Sequence, residues 1–337
     1  MTFGEYLAHL RQSRGLSQKE LAAELQVSRQ TIIALEHNQH APSFDLAVRI
    51  ARRFDVSLDS MAAALTAVAT DAPVWFPGSP PPRSPLPVVW SRVASRLVIV
   101  PLSLFAHQPP ADAVWDPATG QLHPLPGARV PEQVILAGGC DPFHHWLATA
   151  FHQLAPDLCL ETVHLSSTEA LRAFNDGWLH LAGTHLFDEV SRRYNPPHLA
   201  AVPHVQIPYV RWEEGLMHRP DSDAVRHIAV REPGSEAHAL YRRHREEAPY
   251  PAETFYTHLS ILEAVSQRPG WAGVGLGPLA ALRGLSFRPW ALESYDLWIR
   301  QSDLKRPWVE ALVGALEGAW LKSQFHALPH CELAPRS

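Results

Sequence analysis

Proline divides this chain unevenly, and the division limits what its two parts can fold into. Residues 1–72 contain one proline, Pro42, whereas residues 73–87 read PVWFPGSPPPRSPLP. Proline fixes φ and lacks a backbone N–H, so a stretch this rich in proline cannot form the interior of a helix or a central strand. The sequence therefore predicts a helical domain over residues 1–66, a stiff, extended linker over residues 67–87, and a remainder of different architecture.

Length, charge and cysteine content narrow the class of protein further. A chain of 337 residues exceeds the size at which single hydrophobic cores usually stop growing, about 250 to 300 residues. The formal net charge of -5 excludes a general basic field for nucleic acid, so any DNA contact must come from a local surface. No apolar run is long enough to span a bilayer, so no membrane partner is expected. Three cysteines without a C-x-x-C pair predict reduced thiols, and the absence of a signal-peptide pattern predicts a cytoplasmic location.

Helix signals follow one another closely in the first domain. Ser17 and Glu20 form a capping box at the start of a second helix, and Ser28 can cap a third. Further helices are predicted over residues 44–54 and 58–65. The apolar positions expected to form the core of this bundle are Phe3, Leu7, Leu10, Leu21, Ala22, Leu25, Ile32, Leu35, Leu46, Val48, Ile50, Phe54, Leu58 and Met61.

Two short capped helices joined by a tight turn form a helix-turn-helix, whose second helix can enter the major groove. The residues at the start of that helix are Ser28, Arg29, Gln30 and Thr31. Arg29 can make a bidentate contact with guanine and Gln30 with adenine, and Gln18 is placed to hold a phosphate. The alternative is a helical scaffold with solvated polar residues, because residues 1–60 carry seven Lys/Arg and seven Asp/Glu.

Residues 3–65 resemble the DNA-binding domain of the phage repressor and Cro type, the Xre family. The motifs that carry the resemblance are Leu16-Ser17-Gln18, Glu20-Leu21-Ala22, Val27-Ser28, Thr31-Ile32, Leu35-Glu36, Pro42-Ser43 and Val56-Ser57-Leu58-Asp59. The resemblance implies a homodimer that binds a two-fold related operator in double-stranded DNA, with half-sites about one helical turn apart.

The remainder of the chain has a different pattern. Residues 88–131 are expected to form a small β element, since the sequence DPATG within it is typical of a hairpin turn. Over residues 132–330, apolar runs alternate with helix-length stretches, which predicts parallel strands with crossover helices. Three loops in this part join a strand to a helix, where small ligands bind in open α/β sheets. They cover residues 138–141, 166–168 and 231–235.

Residues 132–325 resemble the type II periplasmic-binding-protein fold, in particular the molybdate-type substrate-binding domains found fused to Xre domains. The segments that carry the resemblance are AGGCDP, the loop Ser166-Ser167-Thr168 with DGWLHLAGTHLFD, REPGSEA, THLSILEAV, GVGLGPLAAL and SYDLWI. The resemblance implies two α/β lobes that close on a ligand in the cleft between them, without catalysis. The cleft residues that it implies are Gly139, Cys140, Asp141, Ser166, Ser167, Gly234, Ser235 and Tyr295.

The nature of the ligand stays open at this point. The resemblance implies an oxyanion such as molybdate or tungstate, yet Asp141 in the first loop and Glu236 beside the third would repel an anion. An organic molecule with an amino group, or no soluble ligand at all, fits these residues as well.

The predicted fold class is therefore multi-domain, with an all-α helix-turn-helix domain and a two-lobed α/β domain like a periplasmic-binding protein. The expected function is a DNA-binding transcriptional regulator that senses a small ligand. The twenty histidines show no H-E-x-x-H motif and no paired Cys/His spacing, so no metal, cofactor or catalytic residue is expected. Two alternatives remain, namely an enzyme or metal-binding protein with a repressor-like head, and a regulator whose large domain only dimerises.

Overall fold

The structure, a computed structural model, describes two compact units. The described residues are 3–37, 39–54, 56, 72–105, 107–221 and 224–335. The first unit consists of Met1–Pro73 and Pro126–Val130, and the second of Val74–Leu125 and Pro131–Ser337. Among the described residues, no helix combines the length and the apolar character needed to cross a membrane.

The first unit is helical, as the sequence predicts. Its helices are α1 (Phe3–Ser13), α2 (Gln18–Glu24), α3 (Arg29–Glu36) and α4 (Phe44–Phe54). The capping box of α2 is confirmed, because Ser17 and Glu20 each accept a hydrogen bond from the other's backbone N–H. Ser28 caps α3 by accepting from the backbone N–H of Thr31. The predicted helix over residues 58–65 lies outside the described residues.

The core of this unit consists largely of the predicted positions. Its buried members are Phe3, Leu7, Leu21, Ala22, Leu25, Ile32, Leu35, Leu46, Ala47, Ile50, Ala51 and Phe54. Leu10 and Val48 are only half-buried. The four described helices, of 7 to 11 residues, are too short to be stable alone, so this shared apolar core is what stabilises them.

The second unit begins with a five-stranded sheet. Its strands are β1 (Val74–Trp75), β2 (Leu86–Val93), β3 (Arg96–Pro101), β4 (Ala113–Asp116) and β5 (Gln121–Pro124), in the order β1-β3-β2-β4-β5. The hairpin predicted from DPATG joins β4 to β5, with the carboxylate of Asp116 accepting from the backbone N–H of Ala118. Gly120 ends this turn with φ +67°, a conformation that glycine adopts at little cost.

Two predicted boundaries differ from the structure. The linker predicted over residues 67–87 is too long, because β1 lies within it and pairs with β3 while Phe76 is buried. The β element predicted over residues 88–131 is also not a separate domain. Val89 and Val98 of its sheet share one apolar core with Leu136 of the α/β part, so burial of this sheet face requires the neighbouring layer.

The α/β part is built on one large sheet. Its strands are β6 (Val134–Gly139), β7 (Cys159–His164), β8 (Leu181–Thr184), β11 (His204–His218), β12 (His227–Arg231), β13 (Ala252–Phe255), β14 (Trp271–Leu276), β15 (Ser286–Arg300) and β16 (Cys331–Leu333). A small separate ribbon is formed by β9 (Phe187–Asp188) and β10 (Arg193–Tyr194). The helices are α5 (His144–Leu154), α6 (Ser167–Asn175), α7 (Glu236–Arg243), α8 (His258–Gln267), α9 (Gly277–Leu282), α10 (Pro307–Glu317) and α11 (Ala319–His326).

The strand order of this sheet divides it into two matching halves. The order is β13-β12-β14-β11-β15-β8-β6-β7, and β16 pairs with β11. The first half contains the parallel strands β6, β7 and β8, and the second half contains β12, β13 and β14, also parallel. The long strands β11 and β15 pair antiparallel over their whole lengths and join the halves. This is the two-lobed α/β architecture that the sequence predicts.

The two halves of the α/β domain are in contact at the carboxyl ends of their strands. His164 at the end of β7 lies 3.2 Å, measured from Nε2, from the carbonyl oxygen of Tyr256 after β13. Thr168 in α6 donates from its hydroxyl to the carbonyl of Gly234 before α7, at 3.2 Å. The cleft between the halves is therefore closed in this structure.

A buried histidine ties the five-stranded sheet to the α/β sheet. The backbone N–H of Leu136 in β6 donates to His180 Nδ1 at 3.1 Å, and His180 Nε2 lies 3.1 Å from the carbonyl oxygen of Arg92 in β2. Only a neutral ring with its proton on Nε2 can make both bonds. Burial accordingly lowers the pKa of His180 to about 4.

We expect this histidine to make the second unit acid-sensitive. Because the pKa of His180 is lower in the folded than in the unfolded state, the unfolded chain binds more protons below pH 6.5. The free energy of unfolding should fall by about 2 kcal/mol between neutral pH and pH 5 through this group. Urea unfolding followed by tryptophan fluorescence measures this unit alone, since all eleven tryptophans lie at residue 75 or beyond.

The matched variants are His180→Gln, which should flatten this part of the pH dependence, and His152→Gln at an exposed position, which should keep it. An unchanged slope in His180→Gln would contradict the assignment.

Candidate functional sites

The amino end of α3 presents two of the predicted DNA-contacting side chains. Arg29 and Gln30 are exposed, and neither side chain forms a hydrogen bond or ion pair with another described residue. Ser28 and Thr31 are engaged locally, since the Ser28 hydroxyl accepts from the Thr31 backbone at 3.0 Å and lies 2.9 Å from its hydroxyl. Arg29 and Gln30 are therefore the side chains free to reach base edges, while Ser28 and Thr31 fix the helix end.

Gln18 has a structural bond that the sequence does not predict. Its side-chain amide donates to Glu36 Oε2 at 2.8 Å, and Arg11 Nε donates to Glu36 Oε1 at 2.6 Å. The two bonds join α1, α2 and α3 through one half-buried carboxylate. The amide N–H that would hold a phosphate is thus directed at Glu36 in this structure.

A cluster of buried polar side chains lies between the two halves of the α/β domain. Its five members come from five different elements: Cys140 follows β6, His185 follows β8, Glu214 lies in β11, His258 begins α8, and Glu293 lies in β15. All five are at most 4% exposed. We call these residues the cleft cluster.

Three members of the cleft cluster form a connected series. Cys140 Sγ lies 3.2 Å from His185 Nε2, and His185 Nδ1 lies 2.6 Å from Glu293 Oε2. The indole N–H of Trp212 also donates to Glu293 Oε2, at 3.1 Å. The backbone N–H of His185 donates to the hydroxyl of Ser167, which fixes the position of the ring.

The other two members, Glu214 and His258, are buried with almost no hydrogen-bonding partners. Apart from the neighbouring carboxyl of Glu293, no group of the described residues forms a hydrogen bond with either carboxyl oxygen of Glu214, and neither ring nitrogen of His258 has a hydrogen bond within that part of the chain. Their nearest approach is 3.7 Å, between His258 Nδ1 and Glu214 Oε1. Polar groups buried in this way cost free energy, about 1 to 3 kcal/mol each.

Burial also changes the protonation of the cleft cluster. It raises the pKa of Glu293 to about 8 and that of Glu214 well above its ordinary range, with the proximity of the two carboxyls adding to the rise for Glu214. Burial lowers the pKa of His258 far below the ordinary range. Burial in this cluster therefore favours the neutral form of all three side chains.

Only some of the predicted cleft residues take part in the cleft cluster. Cys140 belongs to it, Ser167 holds His185, and the ring of Tyr295 lies 5.8 Å from the ring of His185, measured between centroids. Asp141 is buried nearby and accepts from the backbone N–H of Phe143, and burial raises its pKa to about 7.

The remaining predicted cleft residues cap helices or form hydrogen bonds through their backbone. Ser166 caps α6 in a capping box with Glu169, and Ser235 caps α7 by accepting from the backbone N–H of His238. Gly234 accepts the Thr168 hydroxyl through its carbonyl, as described above. The hydroxyl groups expected to bind an oxyanion are therefore engaged in helix ends.

Sequence reasoning missed most of the cleft cluster. His185, Glu214, His258 and Glu293 have no shared spacing, because each reaches the cleft from a different element. No local feature identifies the two glutamates, since β11 also carries Arg211 and Glu213, and β15 also carries Arg288 and Asp296.

Comparisons with known proteins give a family match for each of the two units. Residues 148–317 match the family described as PBP superfamily domain, and residues 7–61 match the family described as Helix-turn-helix. An uncharacterized HTH-type transcriptional regulator of Methanocaldococcus jannaschii is 44% identical over 55 residues, which cover 16% of this chain and 83% of that protein. A second, from Methanothermobacter thermautotrophicus, is 57% identical over 42 residues, 12% of this chain and 61% of that protein. The chain belongs to the PBP superfamily and is a DNA-binding transcriptional regulator of the helix-turn-helix class.

Solved structures resemble the chain at lower identity. A periplasmic substrate-binding protein of an ABC transporter from Coxiella burnetii is 15% identical with a TM-score of 0.41, covering 59% of this chain and 100% of that one. The regulatory domain of MetR, a LysR family regulator from N. meningitidis, is 12% identical with a TM-score of 0.43, covering 60% and 98%. The regulatory domain of CcmR from Synechocystis, in complex with 2-PG, is 11% identical with a TM-score of 0.42, covering 55% and 96%. Because these scores are below 0.5, the assignment depends on the family matches alone.

Close backbone packing positions Tyr295 inside the PBP domain. A Cβ atom at Gly139 would lie 2.0 Å from the Tyr295 hydroxyl oxygen but 3.3 Å from the ring carbon that carries it. A Cβ atom at Gly183 would lie 2.4 Å and 2.5 Å from two ring carbons of the same tyrosine. Both positions therefore require glycine as long as Tyr295 occupies its place.

This geometry predicts different outcomes for two alanine substitutions. Gly139→Ala and Gly183→Ala should each lower the free energy of unfolding of the PBP domain by about 1 to 3 kcal/mol, because the added methyl group overlaps Tyr295. In a Tyr295→Phe background the cost of Gly139→Ala should become smaller, because its shortest contact is with the hydroxyl and the next, with the Gly183 carbonyl oxygen, is at 3.1 Å, whereas the cost of Gly183→Ala should persist. Urea unfolding of the five variants, namely Tyr295→Phe and the two alanine substitutions in each background, tests this, and equal costs of Gly139→Ala in both backgrounds would refute the packing argument.

Proposed function

We propose that the PBP domain of this regulator senses a small ligand in its closed cleft and that ligand occupancy changes the affinity for a DNA operator. The observation that carries the proposal is the buried pair Glu214 and His258, because His258 has no hydrogen-bonding partner among the described residues and Glu214 has only the carboxyl of Glu293. Folding alone does not favour such groups, because an apolar pair of similar size would avoid the desolvation cost. A bound ligand would supply the missing partners.

The helix-turn-helix domain supports sequence-specific binding to duplex DNA. Arg29 and Gln30 are exposed at the start of α3, where a recognition helix meets base edges. We infer that the regulator binds a two-fold related operator as a homodimer, as other helix-turn-helix regulators of this type do. A transcriptional regulator must reach the chromosome, so we propose a cytoplasmic location.

Coupling between ligand and operator requires two states of the PBP domain with different ligand affinity. The contact between Thr168 and Gly234 joins the two halves only when the cleft is closed. A ligand held by both halves would therefore favour the closed state, and a change in closure can alter how two DNA-binding domains are presented.

The thiol, imidazole and carboxyl groups of the cleft cluster offer lone pairs to a cationic ligand, and the guanidinium of the buried Arg231 is already paired with Glu232. Glu214 and Glu293 lie at the centre of the cleft, and Ser166 and Ser235 are engaged in helix caps. An oxyanion would have to displace these bonds or bind beside carboxyl groups, both of which cost free energy.

One observation favours a second candidate function, an enzyme with a cysteine nucleophile. Cys140, His185 and Glu293 stand in the order nucleophile, base and orienting acid. This candidate leaves His258 and Glu214 without a role, and Cys140 is only 4% exposed. We therefore propose a sensor without catalytic activity.

A thermal-shift screen of the full chain tests the sensor proposal. Divalent metal salts, amines, amino acids, organic acids, molybdate and tungstate are the compounds to compare, since a ligand that binds only the folded state raises its melting temperature. We expect at least one cationic compound to raise the melting temperature and to change operator affinity. If no compound changes either quantity, the large domain serves only for dimerisation and the proposal is wrong.

Substitution of Arg29 tests the DNA-binding surface. The preferred operator is first selected from random duplexes with the full chain. Arg29→Ala should then weaken operator binding about 5- to 150-fold at fixed salt, the range that corresponds to one bidentate base contact of about 1 to 3 kcal/mol. Arg83→Ala, which removes the same charge from an exposed position in the second unit, should leave binding unchanged. Equal affinities of the two variants would remove Arg29 from the base-reading residues.

A further inference from the structure

We propose that Cys140, His185 and His258 bind a divalent transition-metal ion of the zinc class. This inference deepens the proposed function, because it names the ligand class of the cleft. The three donor groups offer one sulfur and two imidazole nitrogens, a combination that borderline-soft ions such as Zn²⁺ and Co²⁺ prefer.

The positions of the donor atoms fit such an ion. One donor atom from each of Cys140, His185 and His258 lies within 4.8 Å of the others. Cys140 Sγ and His185 Nε2 are 3.2 Å apart, close to the edge of a tetrahedron around Zn²⁺, which is about 3.3 to 3.8 Å for bonds of the usual length. The three donor atoms are therefore close enough together to bind one ion after small adjustments of the side chains.

The surroundings of the histidines match those of metal ligands. A ligating histidine usually places its second ring nitrogen against a carboxylate, which fixes the tautomer and the ring orientation. His185 does so with Glu293 at 2.6 Å, whereas Glu214 lies 3.7 Å from His258 Nδ1, beyond hydrogen-bonding distance. We assign Glu293 and Glu214 as positioning residues outside the coordination sphere, which leaves the fourth position of the ion open.

An ion also accounts for groups that otherwise lack partners. Both ring nitrogens of His258 are buried without a hydrogen bond to any described residue, and a metal bond would satisfy one of them.

The three ligands come from both halves of the PBP domain. Cys140 and His185 follow strands of the first half, β6 and β8, whereas His258 begins the helix after β13 in the second half. An open domain would therefore offer two ligands and a closed domain three. The ion binds the closed state more tightly for this reason, and it stabilises the contact between the two halves.

The experiment is a Co²⁺ titration of the purified full chain, reduced and freed of metal by chelator. We expect one Co²⁺ per chain and a thiolate-to-cobalt charge-transfer band in the near ultraviolet, displaced by Zn²⁺. Cys140→Ser should abolish the charge-transfer band, and His258→Gln should lower the affinity for Co²⁺ by at least about 10-fold. Glu293→Gln should keep the band and weaken binding about 10- to 100-fold, because it disturbs only the orientation of His185.

Two matched controls separate the site from other thiols and imidazoles. Cys159→Ser changes another free cysteine, and His152→Gln changes an exposed histidine on α5. Both should bind Co²⁺ as the unsubstituted chain does. Circular dichroism of each variant without metal shows whether it is folded, and a folded Cys140→Ser that keeps the charge-transfer band would overturn the proposal, as would an unsubstituted chain that binds no Co²⁺.

Operator binding with and without Zn²⁺ distinguishes this inference from the proposed function. If Zn²⁺ binds at the three ligands and operator affinity is unchanged, the metal site is correct and metal sensing is wrong. If another compound changes operator affinity while Co²⁺ and Zn²⁺ do not bind, the sensor is correct and the metal site is wrong.

Discussion

The pairing of β11 with β15 is the constraint on which the rest of the PBP domain depends. The two strands run antiparallel from His204 opposite Arg300 to His218 opposite Ser286, and each borders a strand of one half. Trp212 lies directly opposite Glu293 in this register and donates its indole N–H to that carboxylate. A slip of one residue would turn the side chains to the other face of the sheet, so the register decides which groups meet in the cleft.

The cleft cluster shows that the domain accepts a local cost in stability at the contact between its halves. His258 is buried without a hydrogen-bonding partner among the described residues, and Glu214 is buried against a second carboxyl, so both would be more stable in water. In the proposed sensor, a ligand that supplies partners to these groups would remove the cost, and its difference in affinity for two states of the domain would be the free energy available to regulate DNA binding.

Local features of the fold could be predicted because their causes are local. The capping box of Ser17 and Glu20 and the turn at Gly120 need only a few neighbouring residues to form. The linker was predicted too long because proline content does not reveal that Val74 and Trp75 find a partner in β3. In the candidate site, Cys140 and Tyr295 were predicted from a family resemblance, whereas His185, Glu214, His258 and Glu293 were not predicted at all.

The sequence by itself determined the helical amino-terminal unit, the exposed pair Arg29 and Gln30, and the alternation of strands and helices that gives the PBP domain. These follow from periodicity, caps and turn residues, which act over one or two turns of chain. Only the tertiary structure decided that Cys140, His185 and His258 meet, because their positions depend on strand order and on closure of two halves. Cys140 and His185 are 45 positions apart in the chain, and His185 and His258 are 73 positions apart, so no local sequence pattern marks them as one site. Their donor atoms become neighbours only when the sheet has formed.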